Sequence, residues 1–140
     1  MSLILEKELY ELMVKVDLIK LSQVSQQLPS GKVVLDEMTS NQFLSGNLFA
    51  RFLLKLAEFY PKQFEKPFSD QTSLNAMKNA TTPSSKLHNW NIICEALQKI
   101  NIEIDPDVKN VIIAGDLDAV HGILKEIMEM IQNTDQVKHF

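Results

Sequence analysis

His88 and Cys94 are the one close pairing of an imidazole with the chain's single thiol, and such a pair could bind zinc or activate a nucleophile. On a helix, six steps leave the two side chains well apart around the axis, so they do not share a site. Cys94 falls between Trp90 and Leu97 on an apolar face, where a thiol packs as a small hydrophobe. Trp90 is either a core anchor or a ring on which a ligand stacks, and its place in the same stripe favours the core. His121 follows Val120 on the last helix and reads as a partly exposed surface group, and His139 lies on yet another stretch. Glu103, Asp105 and Asp107 alternate like the start of a calcium loop but lack its central glycine and closing glutamate. Helix capping accounts for Asp105, and a favourable charge in a first helical turn accounts for Asp107. Gly46 and Gly115 each stand alone, which is not the glycine-rich pattern of a phosphate-binding loop. No metal, no cofactor and no catalysis are expected.

The remaining chemistry is that of basic side chains. Arg51 and Lys55 are one helical turn apart and lie opposite the stripe of Phe49, Phe52 and Leu56, so they should be exposed together. Lys62 follows them, and Lys66 and Lys86 extend the patch if the intervening connector folds back. From residue 51 to 99 the chain carries seven basic and four acidic residues; from 100 to 135 it carries two basic and eight acidic. A molecule with one basic and one acidic region can orient on a charged polymer, although solvated helix faces would give the same pattern. The overall charge of −4 argues against nonspecific nucleic-acid binding as the main role.

These residues are positioned by helices. Leu5, Leu9, Leu12, Val16 and Ile19 recur at helical spacing and predict a first helix over about 2–21. Pro29-Ser30-Gly31 breaks the chain, and 32–41 reads as a loop with a brief extended run at Val33-Val34-Leu35. A second helix is expected over about 45–60, with Phe59 in its apolar stripe and Pro61 stopping it. A packed connector then runs to about 85, with Pro67 within it and Phe64, Phe68, Leu74 and Met77 pinning it down. The third helix spans about 85–100 through Trp90, Ile93, Cys94, Leu97 and Ile100. Asp105-Pro106 starts a short helix with Val108, Val111 and Ile112 as its buried face. Gly115 ends it, Asp116 caps the next, and Leu117, Val120, Ile123, Leu124, Ile127 and Ile131 face the core from the last helix. In that helix Gly122 would allow a close approach by a neighbour.

The composition is that of a globular chain, 45% hydrophobic and 23% charged in 140 residues, enough for a single core. No apolar run approaches the roughly 20 residues of a membrane span, the N-terminus has no signal-peptide pattern, and Cys94 has no disulfide partner within the chain. A cytoplasmic protein without membrane association is expected. The fold class is all-α: four principal helices and shorter connecting ones in a single domain over 1–140, expected to be the N-terminal part of a longer protein.

The order of these elements resembles the calponin homology domain. Phe43-Leu44-Ser45-Gly46-Asn47-Leu48-Phe49-Ala50-Arg51-Phe52-Leu53 is similar to the start of that family's second principal helix, with Ser45 where aspartate is usual. His88-Asn89-Trp90-Asn91-Ile92-Ile93-Cys94-Glu95-Ala96-Leu97, followed by Asn101-Ile102-Glu103-Ile104, resembles the family's next helix and its link. Asp107-Val108 through Ile113-Ala114-Gly115-Asp116 to Ile123-Leu124 resembles its short helix, glycine-acid turn and final helix. The resemblance covers about 3–132. The tryptophan that often ends the family's first helix is missing, and the 29–41 loop is longer than usual. Both departures point away from the tandem actin-binding type and towards divergent single domains of ciliary, flagellar and centrosomal proteins.

What the resemblance implies is a non-catalytic interaction domain located at the cytoskeleton, in a cilium, flagellum, centriole or basal body. Its expected partner is microtubules or tubulin, whose acidic surface Arg51, Lys55, Lys62, Lys66 and Lys86 would contact, or another cytoskeletal or ciliary protein. The alternative is an adaptor that never touches polymer and presents an apolar groove with Phe64, Phe68 or Met130; actin ranks below both. The chain is expected to be a monomer or a weak dimer, with Met128 and Met130 broadening an apolar face for self-association.

Overall fold

The computed structural model describes residues 1–65, 68 and 72–137. Among them are β1 (Ile4–Leu5), α1 (Lys7–Lys15), a 3-10 turn (Leu21–Gln23), β2 (Val24–Gln27), β3 (Val33–Leu35), α2 (Glu37–Ser45), α3 (Asn47–Phe59), α4 (Pro61–Phe64), α5 (Thr72–Asn75), α6 (Pro83–Gln98), α7 (Pro106–Ile113) and α8 (Leu117–Val137). The domain is mostly helical, as expected, with a small three-stranded sheet added to the helices.

The sheet arises where the helical spacing of the first twenty residues misleads. Leu3 and Leu5 are buried while Ile4 between them is exposed, a period of two that belongs to a strand. β1 pairs antiparallel with β3, Ile4 opposite Val34 and Leu5 opposite Val33, and β2 takes the other edge of β3 with an irregularity between Val24 and Gln26. The Pro29-Ser30-Gly31 break is a tight turn closed by the Leu28 amide on the Lys32 carbonyl at 2.9 Å. The expected first helix is therefore shortened at both ends. It stops at Asp17, whose φ of 60° lets the Asp17 and Leu18 amides bond back to Val14 and Met13. Val16 and Ile19 still reach the core from beyond the helix.

The stretch expected to be a loop also holds α2. Asp36 starts it, accepting the Thr39 amide at 2.7 Å, and the hydroxyl and amide of Thr39 hold the Asp36 carboxyl below its ordinary value. Three of its buried residues, Thr39, Ser40 and Ser45, are polar, which hides the helical period. They are partnered. Ser40 Oγ accepts the Leu3 amide at 2.8 Å and donates to the Asp36 carbonyl, and Thr39 Oγ1 accepts from Gln23 Nε2 at 3.2 Å.

One core joins all layers, from Leu9 and Met13 of α1 through Phe49, Phe52, Leu53 and Leu56 of α3 to Trp90, Ile93 and Leu97 of α6 and Val120, Leu124 and Ile127 of α8. Two polar links tie its periphery: Lys125 of α8 reaches Glu6 at 3.2 Å, and Lys15 Nζ donates to Tyr60 Oη at 3.0 Å. Three expectations are corrected. Phe59 ends α3 43% exposed, and Val111 is equally exposed, so α7 buries Ile112 and only half-buries Val108. Gly122 faces open space, with nothing within 4 Å of a Cβ placed there.

Candidate functional site

Two of the three segments that carry the family resemblance meet at one point, the junction of α2 and α3. Helix ends leave carbonyls without intrahelical partners. Here Leu44 O accepts the Trp90 indole Nε1–H at 2.7 Å, and Ser45 O accepts from Asn89 Nδ2 at 2.9 Å. Asn89 is 6% exposed and donates again from Nδ2, to Lys78 O at 3.0 Å, so two carbonyls fix the orientation of its amide. The Trp90 ring packs edge-on to Phe49, with centroids 5.2 Å apart. Gly46 turns the chain between the helices at φ +92°; a Cβ there would lie 2.9 Å from Ile93 Cδ1 and 3.2 Å from Asn89 Cβ. Trp90 is thus a core anchor whose indole nitrogen caps a helix 46 residues away.

The other side of Asn89 lines an open cleft of about 540 Å³ between the 73–80 segment and α6. Met77 and Ile92 form its half-buried apolar part, and exposed Lys78 and His88 stand on its walls. None of its described lining residues is acidic. Cys94, further along α6, is half-buried; burial pushes its thiol up, against the opposing pull of Lys109, so it keeps its proton at neutral pH. Among the described residues no group of three His, Cys, Asp or Glu side chains could hold a metal, and no helix is long and apolar enough to cross a membrane. His121 is half-buried, and its Nε2 has no hydrogen-bond partner among the described residues.

The basic residues are distributed over three helices. Arg51 is exposed on α3, and Lys55, one turn on, is half-buried with its ammonium 3.9 Å from Glu58. Lys62 is exposed on α4, and Lys86 is half-buried in α6. Lys66, Pro67 and His139 lie outside the described residues. The connector does fold back, with α5 packed on both α3 and α6. Glu58 and Glu65 border a hollow between α3 and α4, so carboxylates interrupt the basic surface there.

The apolar groove expected of an adaptor is overturned. Phe64 and Phe68 are fully buried and stacked on each other, centroids 6.0 Å apart. Met128 is buried as well, and Met130 is partly buried against the core with its carbonyl accepting from Gln63 Nε2, so neither broadens a free face. What sequence reasoning missed is Asn89 as a clamp. Its position in the motif was visible, but its acceptors lie 44 and 11 residues away, and no local pattern signals them.

A mostly helical scaffold, clamped at a glycine turn, carries these features. A family model described as "CH-like domain in sperm protein" matches residues 19–129, and the chain belongs to that family. The family is typically non-enzymatic and marks a cytoskeleton-related domain. No curated protein and no solved structure matches the chain.

Proposed function

We propose that this domain binds microtubules through the basic side chains of Arg51, Lys55, Lys62, Lys66 and Lys86, as the interaction domain of a longer ciliary, flagellar or centriolar protein. The observation that carries the reading is the exposure of Arg51 and Lys62 on consecutive helices of the chain's basic third. From residue 100 to 135 the chain carries eight acidic and only two basic residues, against seven basic and four acidic from 51 to 99, an asymmetry that suits orientation on an acidic polymer. The Lys55–Glu58 pair joins a half-buried lysine to an exposed glutamate at a long 3.9 Å and is weak, on the order of 0.5 kcal/mol, so it does not withhold Lys55 from a partner. The family's description as a domain of sperm protein supports a flagellar setting.

Co-sedimentation with microtubules tests this. Pelleting at low salt that fades as salt screens the charges is expected, with Arg51→Glu plus Lys62→Glu abolishing it. Absence of pelleting at low salt would end the proposal.

A further inference from the structure

We propose that the cleft between the 73–80 segment and α6 is a second binding site, one that takes a short acidic peptide in extended form. Among the described residues, none of the basic positions above lines the cleft. Lys78 and His88 supply donors to carboxylates, and no described lining residue is acidic to oppose one. The side chain of Asn89, only 6% exposed, also lines the cleft. Both of its acceptors are backbone carbonyls, Ser45 O and Lys78 O, so its Nδ2 is committed. Its Oδ1 accepts no hydrogen bond from the described residues. A carbonyl oxygen held rigidly in the wall of an open cleft suits a peptide N–H, the donor that an extended chain presents at every second residue. Met77 and Ile92 offer an apolar seat beside it.

Beyond Asn79 a neighbouring hollow carries Glu37 and the exposed side chain of Met38. Ligand carboxylates are thus favoured beside Lys78 and His88 and disfavoured towards Glu37.

A short fluorescent peptide with glutamates flanking a central leucine, titrated into the protein at low salt, tests the proposal. Saturable binding is expected, with the Asn89 side-chain amide signals shifting in an NMR titration. Lys78→Glu with His88→Glu should weaken binding by about tenfold or more, while Arg51→Glu with Lys62→Glu should leave it within about twofold. All four positions are at the surface or only partner solvent in this fold, so the variants should stay folded, which a thermal melt checks. Three results would overturn the cleft: no binding, equal binding of a lysine-for-glutamate peptide, or loss of binding in the Arg51/Lys62 variant alone. The last would locate acidic ligands on α3 and α4 and leave the microtubule reading standing; failure of pelleting with peptide binding intact would do the reverse.

Discussion

Gly46 and Gly115 make the same backbone move in opposite surroundings. Both sit between two helices with positive φ, +92° and +112°. At Gly115 the turn is self-contained. The Gly115 amide bonds to Ile112 O and the Asp116 amide to Val111 O, each at 2.9 Å, the pairing of a Schellman motif, and Asp116 then caps α8 through the Ala119 amide. At Gly46 the glycine's amide bonds back to Phe43 O but the Asn47 amide reaches only Ser45 Oγ, and the last two carbonyls of α2 are taken by Trp90 and Asn89 of α6. One junction is punctuation. The other is a weld between distant parts of the chain, and it also forms the back of the acidic-peptide cleft.

The sharpest way to break this comparison is the same substitution at both glycines. Gly46→Ala forces a residue with a Cβ into a left-handed conformation and drives that Cβ to within 2.9 Å of Ile93 and 3.2 Å of Asn89. Backbone strain and overpacking together should cost about 3 kcal/mol. Gly115→Ala meets the strain but no neighbour within 4 Å, so about 1 kcal/mol is expected. Urea unfolding of the two variants checks the order; equal losses would show that the close approach at Gly46 contributes nothing.

Trp90→Phe should have the next largest effect. It keeps most of the aromatic packing on Phe49 but removes the donor to Leu44 O, leaving a buried carbonyl unpartnered. About 2 kcal/mol of stability should be lost, measured by the same unfolding. An unchanged midpoint would mean that water replaces the indole and that the weld at α2 is looser than its 2.7 Å bond implies.

The two junctions also divide what could be read from sequence. Asp105-Pro106, Gly115 and Asp116 announce α7 and α8 because each acts on amides and carbonyls a few residues away. Nothing local announces α2, whose buried face is written in Thr39, Ser40 and Ser45 and whose terminal carbonyls find partners more than forty residues on. The sheet was hidden for a related reason: Leu5, Leu9 and Leu12 fit a helix while Leu3 and Leu5 fit a strand, and only the pairing partner β3 decides. Among the candidate binding residues, the exposure of Arg51 followed from α3's own period. The cleft did not, because it exists only once 73–80 has folded against α6.

Gly122 offers the finest test of how open the α8 side of the molecule is. It lies inside α8 with an ordinary helical φ and nothing within 4 Å of a Cβ, so neither strain nor contact justifies a glycine there. What remains is the entropy that glycine loses on entering a helix, which alanine does not. Gly122→Ala should therefore stabilise the domain by about 0.8 kcal/mol, raising the melting temperature by roughly 2–4 °C for a chain of this size. The gain should add to the loss at Gly115 in the double variant, since the two sites share no neighbour. A destabilised Gly122→Ala would mean that something covers this face of α8, and the place to look for it would be a second chain packed where the monomer shows only space.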